Sequence, residues 1–364
     1  MTNTNPPAAN APAKTDGKVA ILGCGQMGLV CSTMLRGRTD RPGPAVVLWG
    51  HDTAETAQLT QTSASDRLPG FELPGGATAT DDLAEALADA TLLVSAIPTQ
   101  HVREVWERVR TVGTLPAASA GVVSVSKGIE NGTLLTPTAV IADALAEDPD
   151  GPPRRYGTLS GPTIAAELAR CLPATMIAAS DPTSDEGGAF AQQVQDLFST
   201  SWLRVYTNTD LLGVELSGAI KNVVAIAAGI LDGLKAGYNA KSALLARGLA
   251  EIARLGVAMG AQPDTFFGVA GVGDLATTCF SPEGRNRTCG EALGRGEKLE
   301  DYLRRSPSVV EGVATTKSVL GLAERYRVEM PITNAVHAVL FDRLDPLEAI
   351  STLMSRELKA ERVG

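Results

Sequence analysis

The first ordered stretch is a continuous apolar run, Lys18 to Leu22 (KVAIL), with no alternation of wet and dry positions. Such a run reads as a strand buried on both faces. Gly23-Cys24-Gly25-Gln26-Met27-Gly28 follows at once, and Leu29 to Arg36 then reads as a helix. Further apolar runs follow at Val46 to Trp49, Leu92 to Ile97 and Val122 to Val125. Each ends in polar or glycine-containing joints: Gly50-His51-Asp52, Pro98-Thr99-Gln100 and Ser126-Lys127-Gly128. Amphipathic stretches such as Asp82 to Ala88 and Val102 to Val109 lie between them. Alternating strands and helices predict a parallel, doubly wound α/β sheet. Thr158 to Ser160, Ala174 to Ala179 and Leu203 to Tyr206 add strands. After Asn208 the texture changes to long helical stretches: Leu211 to Leu234, Ala240 to Met259, Thr315 to Tyr326 and Ile332 to Leu340. The division expected is a tail over 1–16, an α/β domain over 17–208 and an all-α domain over 209–364.

Composition narrows the class. The chain has 364 residues, 44% hydrophobic and 20% charged, so it can bury a core without staples. A net charge of −9 argues against a nucleic-acid partner. Five scattered cysteines without a CxxC pair and only three histidines predict neither a zinc site nor a disulfide framework. No metal is expected, and the thiols suit a cytoplasmic location. The longest apolar run, Val223 to Leu231, falls short of the roughly 20 residues a membrane span needs. Residues 1–16, rich in Pro, Ala, Asn and Thr, lack the apolar centre of a signal peptide and are expected to be disordered.

Glycines at 23, 25 and 28 form G-x-G-x-x-G between a strand and a helix. Glycine there permits the tight turn, the approach of a pyrophosphate and the packing of helix on strand. The end of the second strand reports on the adenosine ribose, where an acid binds a 2′-hydroxyl and repels a 2′-phosphate. Here Gly50 and His51 precede Asp52, which favours NADP(H), with NAD(H) as the alternative. Ligands gather beyond the carboxyl ends of such strands, so Lys127 and Ser160-Gly161-Pro162-Thr163 are candidates at the rim.

The segment Gly213 to Leu231 is apolar nearly all round, yet it holds Lys221 and Asn222. A buried lysine needs a partner and has a depressed pKa, which suits it to proton transfer. Ser217, Gly218 and Ala219 just before it allow a ligand close approach. Gly268 to Leu275 (GVAGVGDL) reads as a tight glycine loop presenting Asp274, placed to orient Lys221 or cap a helix. Gly284-Arg285-Asn286-Arg287 offers an arginine fork to a phosphate. Val309-Val310-Glu311-Gly312 precedes another helix.

Taken together, GCGQMG, LWGHD, SKGIE, SGPT, GVELSGAIKNVVAIAAGI, NAKSALLARGLAE, GVAGVGDLATTC, GRNR, VVEG and EMPIT resemble the bacterial NAD(P)-dependent glycerol-3-phosphate dehydrogenase family, over about residues 17 to 355. The resemblance implies an N-terminal Rossmann-like doubly wound sheet and an all-α C-terminal domain similar to that of 6-phosphogluconate dehydrogenase. It implies reversible hydride transfer between NAD(P)H and dihydroxyacetone phosphate, giving sn-glycerol 3-phosphate for glycerophospholipid synthesis. By analogy Lys221 is catalytic at the C2 oxygen. Lys127, Gly161, Thr163, Lys221, Asp274, Gly284, Arg285 and Asn286 would line the substrate site. Gly23, Gly25, Gln26, Met27, Gly28, His51, Lys127, Ala165, Arg285, Val309 and Glu311 would meet the cofactor. Three departures stand out: Gly284 where the family often has serine, with a backbone N–H or Ser281 expected to substitute; Gln26-Met27 inside the glycine motif; and a longer Gly37 to Pro44 loop. A related reductase acting on a hydroxyacid, or a dinucleotide-binding sensor without turnover, are the competing readings. A homodimer is expected from the frequency of such assemblies.

Overall fold

The computed structural model describes residues 17–38, 42–113, 117, 120–146, 153–181, 188–306, 308–358 and 360. The tail over 1–16 and part of the Gly37 to Pro44 loop lie outside them. The strands are β1 (Lys18–Leu22), β2 (Ala45–Trp49), β3 (Ala77–Thr80), β4 (Ala90–Ser95), β5 (Gly121–Ser124), β6 (Tyr156–Ser160), β7 (Ala174–Ser180) and β8 (Leu203–Asn208). They form one sheet in the order β3-β2-β1-β4-β5-β6-β7-β8. The order reverses between β1 and β4, which opens a crevice beyond their carboxyl ends.

Strand β1 shows why the run is continuously apolar. Val19 and Ile21 pack into one core cluster while Ala20 and Leu22 pack into another on the opposite face. Helices cover both faces, so neither side of the strand meets water.

Two details differ from the sequence reading. β7 pairs antiparallel with β6, so the sheet is mostly rather than wholly parallel. After β6 the short Ala165–Ala169 helix turns the chain back beside the end of that strand instead of crossing the sheet. β3 was not anticipated: its residues, ATAT, are small and half-exposed at the sheet edge and make no apolar run.

From Leu211 onward the described residues are helical. The Leu211–Gly233 helix runs through the centre, with the Gly237–Ala258, Asp274–Phe280, Arg285–Gly294 and Glu311–Tyr326 helices packed on it. By length and composition this central helix is long and apolar enough to cross a membrane, but 94% of its most apolar window is buried in the protein. Its buried Glu215 ties it to the sheet half. The carboxylate accepts from Thr138 N–H at 3.0 Å and Thr138 Oγ1 at 2.7 Å, at the start of the Pro137–Leu145 helix. Asp210 likewise accepts from the N–H groups of Gly213 and Gln262, at 2.9 and 2.8 Å. All five cysteines are free thiols, and no His/Cys/Asp/Glu cluster among the described residues could hold a metal.

Candidate active site

The glycine motif shows three separate uses. Gly23 adopts φ +119°, and a Cβ there would lie 2.5 Å from the Ala96 carbonyl oxygen. A Cβ on Gly28 would lie 1.9 Å from the Gly23 carbonyl oxygen, so the Gln26–Arg36 helix seats directly on the turn. Gly25 has nothing within 4 Å of its would-be Cβ. That gap opens at the helix N-terminus, whose free N–H groups and dipole favour an anion. A dinucleotide pyrophosphate fits this cradle.

Around it, Gln26 Nε2 donates to the Arg67 carbonyl at 2.9 Å, and Arg285 Nη1 reaches Gln26 Oε1 at 3.5 Å. Met27 and Ala165 pack against the same core cluster. His51 is exposed at the end of β2. Asp52 caps the Thr53–Thr62 helix, accepting from Ala54 N–H at 2.9 Å and Glu55 N–H at 3.1 Å. Those two N–H groups hold its carboxyl below the usual carboxylate range. Arg67 was not singled out from sequence. It pairs with Glu55 and feels the charge of Asp52, the residue that follows His51.

The substrate candidates converge on one carboxylate. VAGVG forms a π-helical turn, Val269–Gly273, within the tight glycine segment, and Asp274 opens the helix that follows. Gly273 holds the N-cap position, which leaves the Asp274 side chain for other partners. Only 1% exposed, it takes Lys127 Nζ on Oδ2 at 2.7 Å and Lys221 Nζ on Oδ1 at 2.7 Å. Lys127 Nζ also donates to the Gly161 carbonyl at 2.8 Å and to Thr163 Oγ1 at 3.1 Å. Gly161, at φ +134°, carries the chain past Thr175 and Met176 to make that approach. Thr278, one turn after Asp274, accepts from Lys221 Nζ and donates to Asp274 Oδ1 at 3.3 Å. The Lys127 stem lies against the central helix at Gly218, where a Cβ would meet Lys127 Cγ at an ordinary 3.5 Å and Ser160 Oγ more tightly at 3.1 Å. Asn222 Nδ2 donates to the Lys127 carbonyl at 3.3 Å.

Two buried ammonium groups thus share one carboxylate, an excess of positive charge where an anion is expected. Burial pushes Lys127 down to about 8, with Lys221 adding repulsion and Asp274 opposing both. Burial pushes the Glu311 carboxyl up, while the Arg285, Lys127 and Lys221 cations pull it down, so Glu311 faces the same cluster. Val309 stands 51% exposed at the rim.

Gly284 begins the Arg285–Gly294 helix, and its N–H leans back to the Ser281 carbonyl at 3.4 Å. The Ser281 hydroxyl accepts from Glu283 N–H at 3.2 Å, which leaves its own O–H to donate. Asn286 is buried, and its Oδ1 accepts from Gly312 N–H at 2.9 Å, leaving its Nδ2 for a ligand. Thr278 was missed from sequence, although it lies four residues after Asp274 on one helical face.

Comparison with known proteins follows this geometry. Residues 18–185 match the family described as NAD-dependent glycerol-3-phosphate dehydrogenase N-terminus, and residues 210–351 match its C-terminus. A glycerol-3-phosphate dehydrogenase [NAD(P)+] of Salinibacter ruber is 44% identical over 346 residues, 94% of this chain and 96% of the relative. One from Geobacillus thermodenitrificans is 43% identical over 345 residues, with 94% and 96% covered. The crystal structure of glycerol-3-phosphate dehydrogenase from Coxiella burnetii aligns with a TM-score of 0.84 at 32% identity, covering 94% of this chain and all of that one. With the glycine cradle at one end and the paired lysines on Asp274 at the other, the chain belongs to the NAD-dependent glycerol-3-phosphate dehydrogenase family.

Proposed function

We propose that the protein transfers hydride between NAD(P)H and C2 of dihydroxyacetone phosphate, giving sn-glycerol 3-phosphate, and runs the reaction in reverse. The observation that carries this reading is the Lys127–Asp274–Lys221 bridge, buried where the sheet meets the helical half. The nicotinamide, when bound, supplies or accepts the hydride.

The chain's own residues do the rest. As the carbonyl is reduced, its oxygen gains negative charge. The Lys221 ammonium stabilises that charge and delivers the proton. In oxidation neutral Lys221 takes the C2 hydroxyl proton. Thr278 and Asp274 hold Lys221 in place through both steps. Lys127, Arg285 and Asn286 match the phosphate dianion, with Gly161 and Thr163 fixing Lys127. The N–H groups after Gly25 hold the pyrophosphate, while Gln26, Met27, Ala165, Val309 and Glu311 border the cofactor. Asp52 is engaged in capping, and His51 and Arg67 are both basic. Together they support a preference for NADP(H). We further assign residues 17–208 to cofactor binding and 209–364 to substrate and catalysis, in a cytoplasmic homodimer serving glycerophospholipid synthesis.

The test is reduced-nicotinamide oxidation with dihydroxyacetone phosphate against unphosphorylated dihydroxyacetone, each with NADPH and NADH. Rapid oxidation only with the phosphorylated ketone is expected, faster with NADPH at limiting cofactor. Equal rates on both ketones would overturn the substrate assignment, and NADH preference would overturn the roles of His51 and Arg67.

A further inference from the structure

Two of the site's cations, Lys221 and Arg285, ride on two helices that meet through glycines. The Leu211–Gly233 helix carries Lys221 and Asn222, and the Arg285–Gly294 helix carries Arg285 and Asn286 in its first turn. Gly290 sits on Ile226 and Gly294 on Ile230, so the two helices run parallel in register. Two glycines one turn apart on each helix, Gly229 and Gly233 against Gly290 and Gly294, form the seam.

The clearances are extreme. A Cβ would lie 1.9 Å from the Arg287 carbonyl oxygen at Gly229, and 2.0 Å from that of Ile226 at Gly290. At Gly233 and Gly294 the obstacles are the Glu291 and Ile230 carbonyl oxygens, at 2.4 and 2.5 Å. Each obstacle is backbone, so no rotamer change relieves it; one helix must move. Helices packed through side chains stand about 8–10 Å apart, and small residues let backbones come closer. The near end of the seam reaches the site directly. Asn286 Oδ1 takes the Gly312 N–H, and a Cβ on Gly312 would lie 2.7 Å from the Asn222 carbonyl oxygen. Arg287 adds a bond to Asp232 at 2.6 Å, and Asp232 also holds Lys241.

We propose that this four-glycine seam is a positioning device: it sets how far Arg285 and Asn286 stand from Lys221. It thereby tunes affinity for the substrate phosphate more than proton transfer at C2. The inference rests on the functional reading above. The four glycines touch no substrate and act through Arg285 and Asn286.

The test uses full-length Gly290→Ala, Gly294→Ala, Arg285→Lys and the Gly294→Ala/Arg285→Lys double variant, with melting temperature, KM and kcat for sn-glycerol 3-phosphate. Gly290→Ala, whose clash lies nearer the site, should raise KM roughly ten- to hundredfold with a smaller fall in kcat. Gly294→Ala should lose similar melting temperature with a smaller rise in KM. Its effect should shrink when Arg285 is already Lys, since one interaction is then lost twice. A folded Gly290→Ala with wild-type KM overturns the proposal, and so do KM changes that merely follow melting temperature. If Gly290→Ala does not fold, additive KM effects in the Gly294→Ala/Arg285→Lys cycle overturn it. A wild-type chain inactive on sn-glycerol 3-phosphate overturns the functional reading instead.

Discussion

The two halves of the molecule build their parts of the cleft from different materials. At the cofactor end the sheet half offers backbone, glycines that remove Cβ atoms and helix N–H groups left open at Gly25, and it lends one side chain, Lys127, to the charged end. The helical half offers buried charge, Lys221 and Asp274, with the neutral amide of Asn286 beside them, on helices otherwise apolar toward the core. Backbone sites depend on clearance and are indifferent to pH. Charged sites depend on pairing, and each removed partner leaves a costly neighbour behind.

The sharpest way to break this contrast is Asp274→Asn. It strands two ammonium groups in a site where the carboxylate is 1% exposed. A loss of about 3–5 kcal/mol of stability is expected, together with most turnover. Melting and steady-state kinetics measure both, and a variant as stable as wild type would show that the bridge is not a load on the fold.

The next effect is on pH. Lys127 titrates at about 8 in the folded chain against 10.5 for an ordinary lysine. Below about 8 it carries the charge that the phosphate needs, so kcat/KM should fall roughly tenfold per pH unit above that point. Stability should move the other way. Between 8 and 10.5 the unfolded chain binds the extra proton, so this group's contribution to stability rises with pH there. Lys127→Met should flatten both trends, and an unchanged profile would remove Lys127 from the titration.

A smaller effect lies away from the cleft. Glu251 accepts from Ile332 N–H at 2.6 Å and Thr333 N–H at 3.3 Å, at the start of the Pro331–Phe341 helix. Burial raises its pKa from 4.5 to about 7 despite those bonds. Its contribution is therefore full below 4.5 and is lost as pH rises through about 7. Melting of Glu251→Gln at pH values either side of that window should show a weaker pH dependence than wild type.

The smallest effect is expected at His51. It is exposed, so any contact it makes to a 2′-phosphate is weakened by solvent. His51→Ala should change the NADPH to NADH preference by about two- to fivefold, measured as a ratio of kcat/KM values.

The sequence exposed these halves unevenly. G-x-G-x-x-G after an apolar run names its own geometry, because only glycine satisfies φ +119° at Gly23 and the contact at Gly28. The strands with both faces buried were equally legible, whereas β3, polar and at an edge, was not. Antiparallel pairing of β6 and β7 escaped because direction is set by a turn, and apolar patterning carries no direction. In the helical half Lys221 stood out as a lysine in an apolar helix. Asp274 could be offered as its partner, but not the sharing of that carboxylate with Lys127, since Asp274 and Lys127 are 147 residues apart and meet only through the fold. Thr278 and the glycine seam are hidden for the same reason: small residues declare their purpose only when their neighbours are known.

Turnover of dihydroxyacetone phosphate by Lys221→Ala, with cofactor affinity measured on the same sample and with methylamine added, addresses the central claim most directly. The account predicts a fall in kcat of roughly 10²–10⁴-fold, partial recovery with the amine, and cofactor binding near wild type. Turnover close to wild type, or cofactor binding lost together with activity, would contradict it.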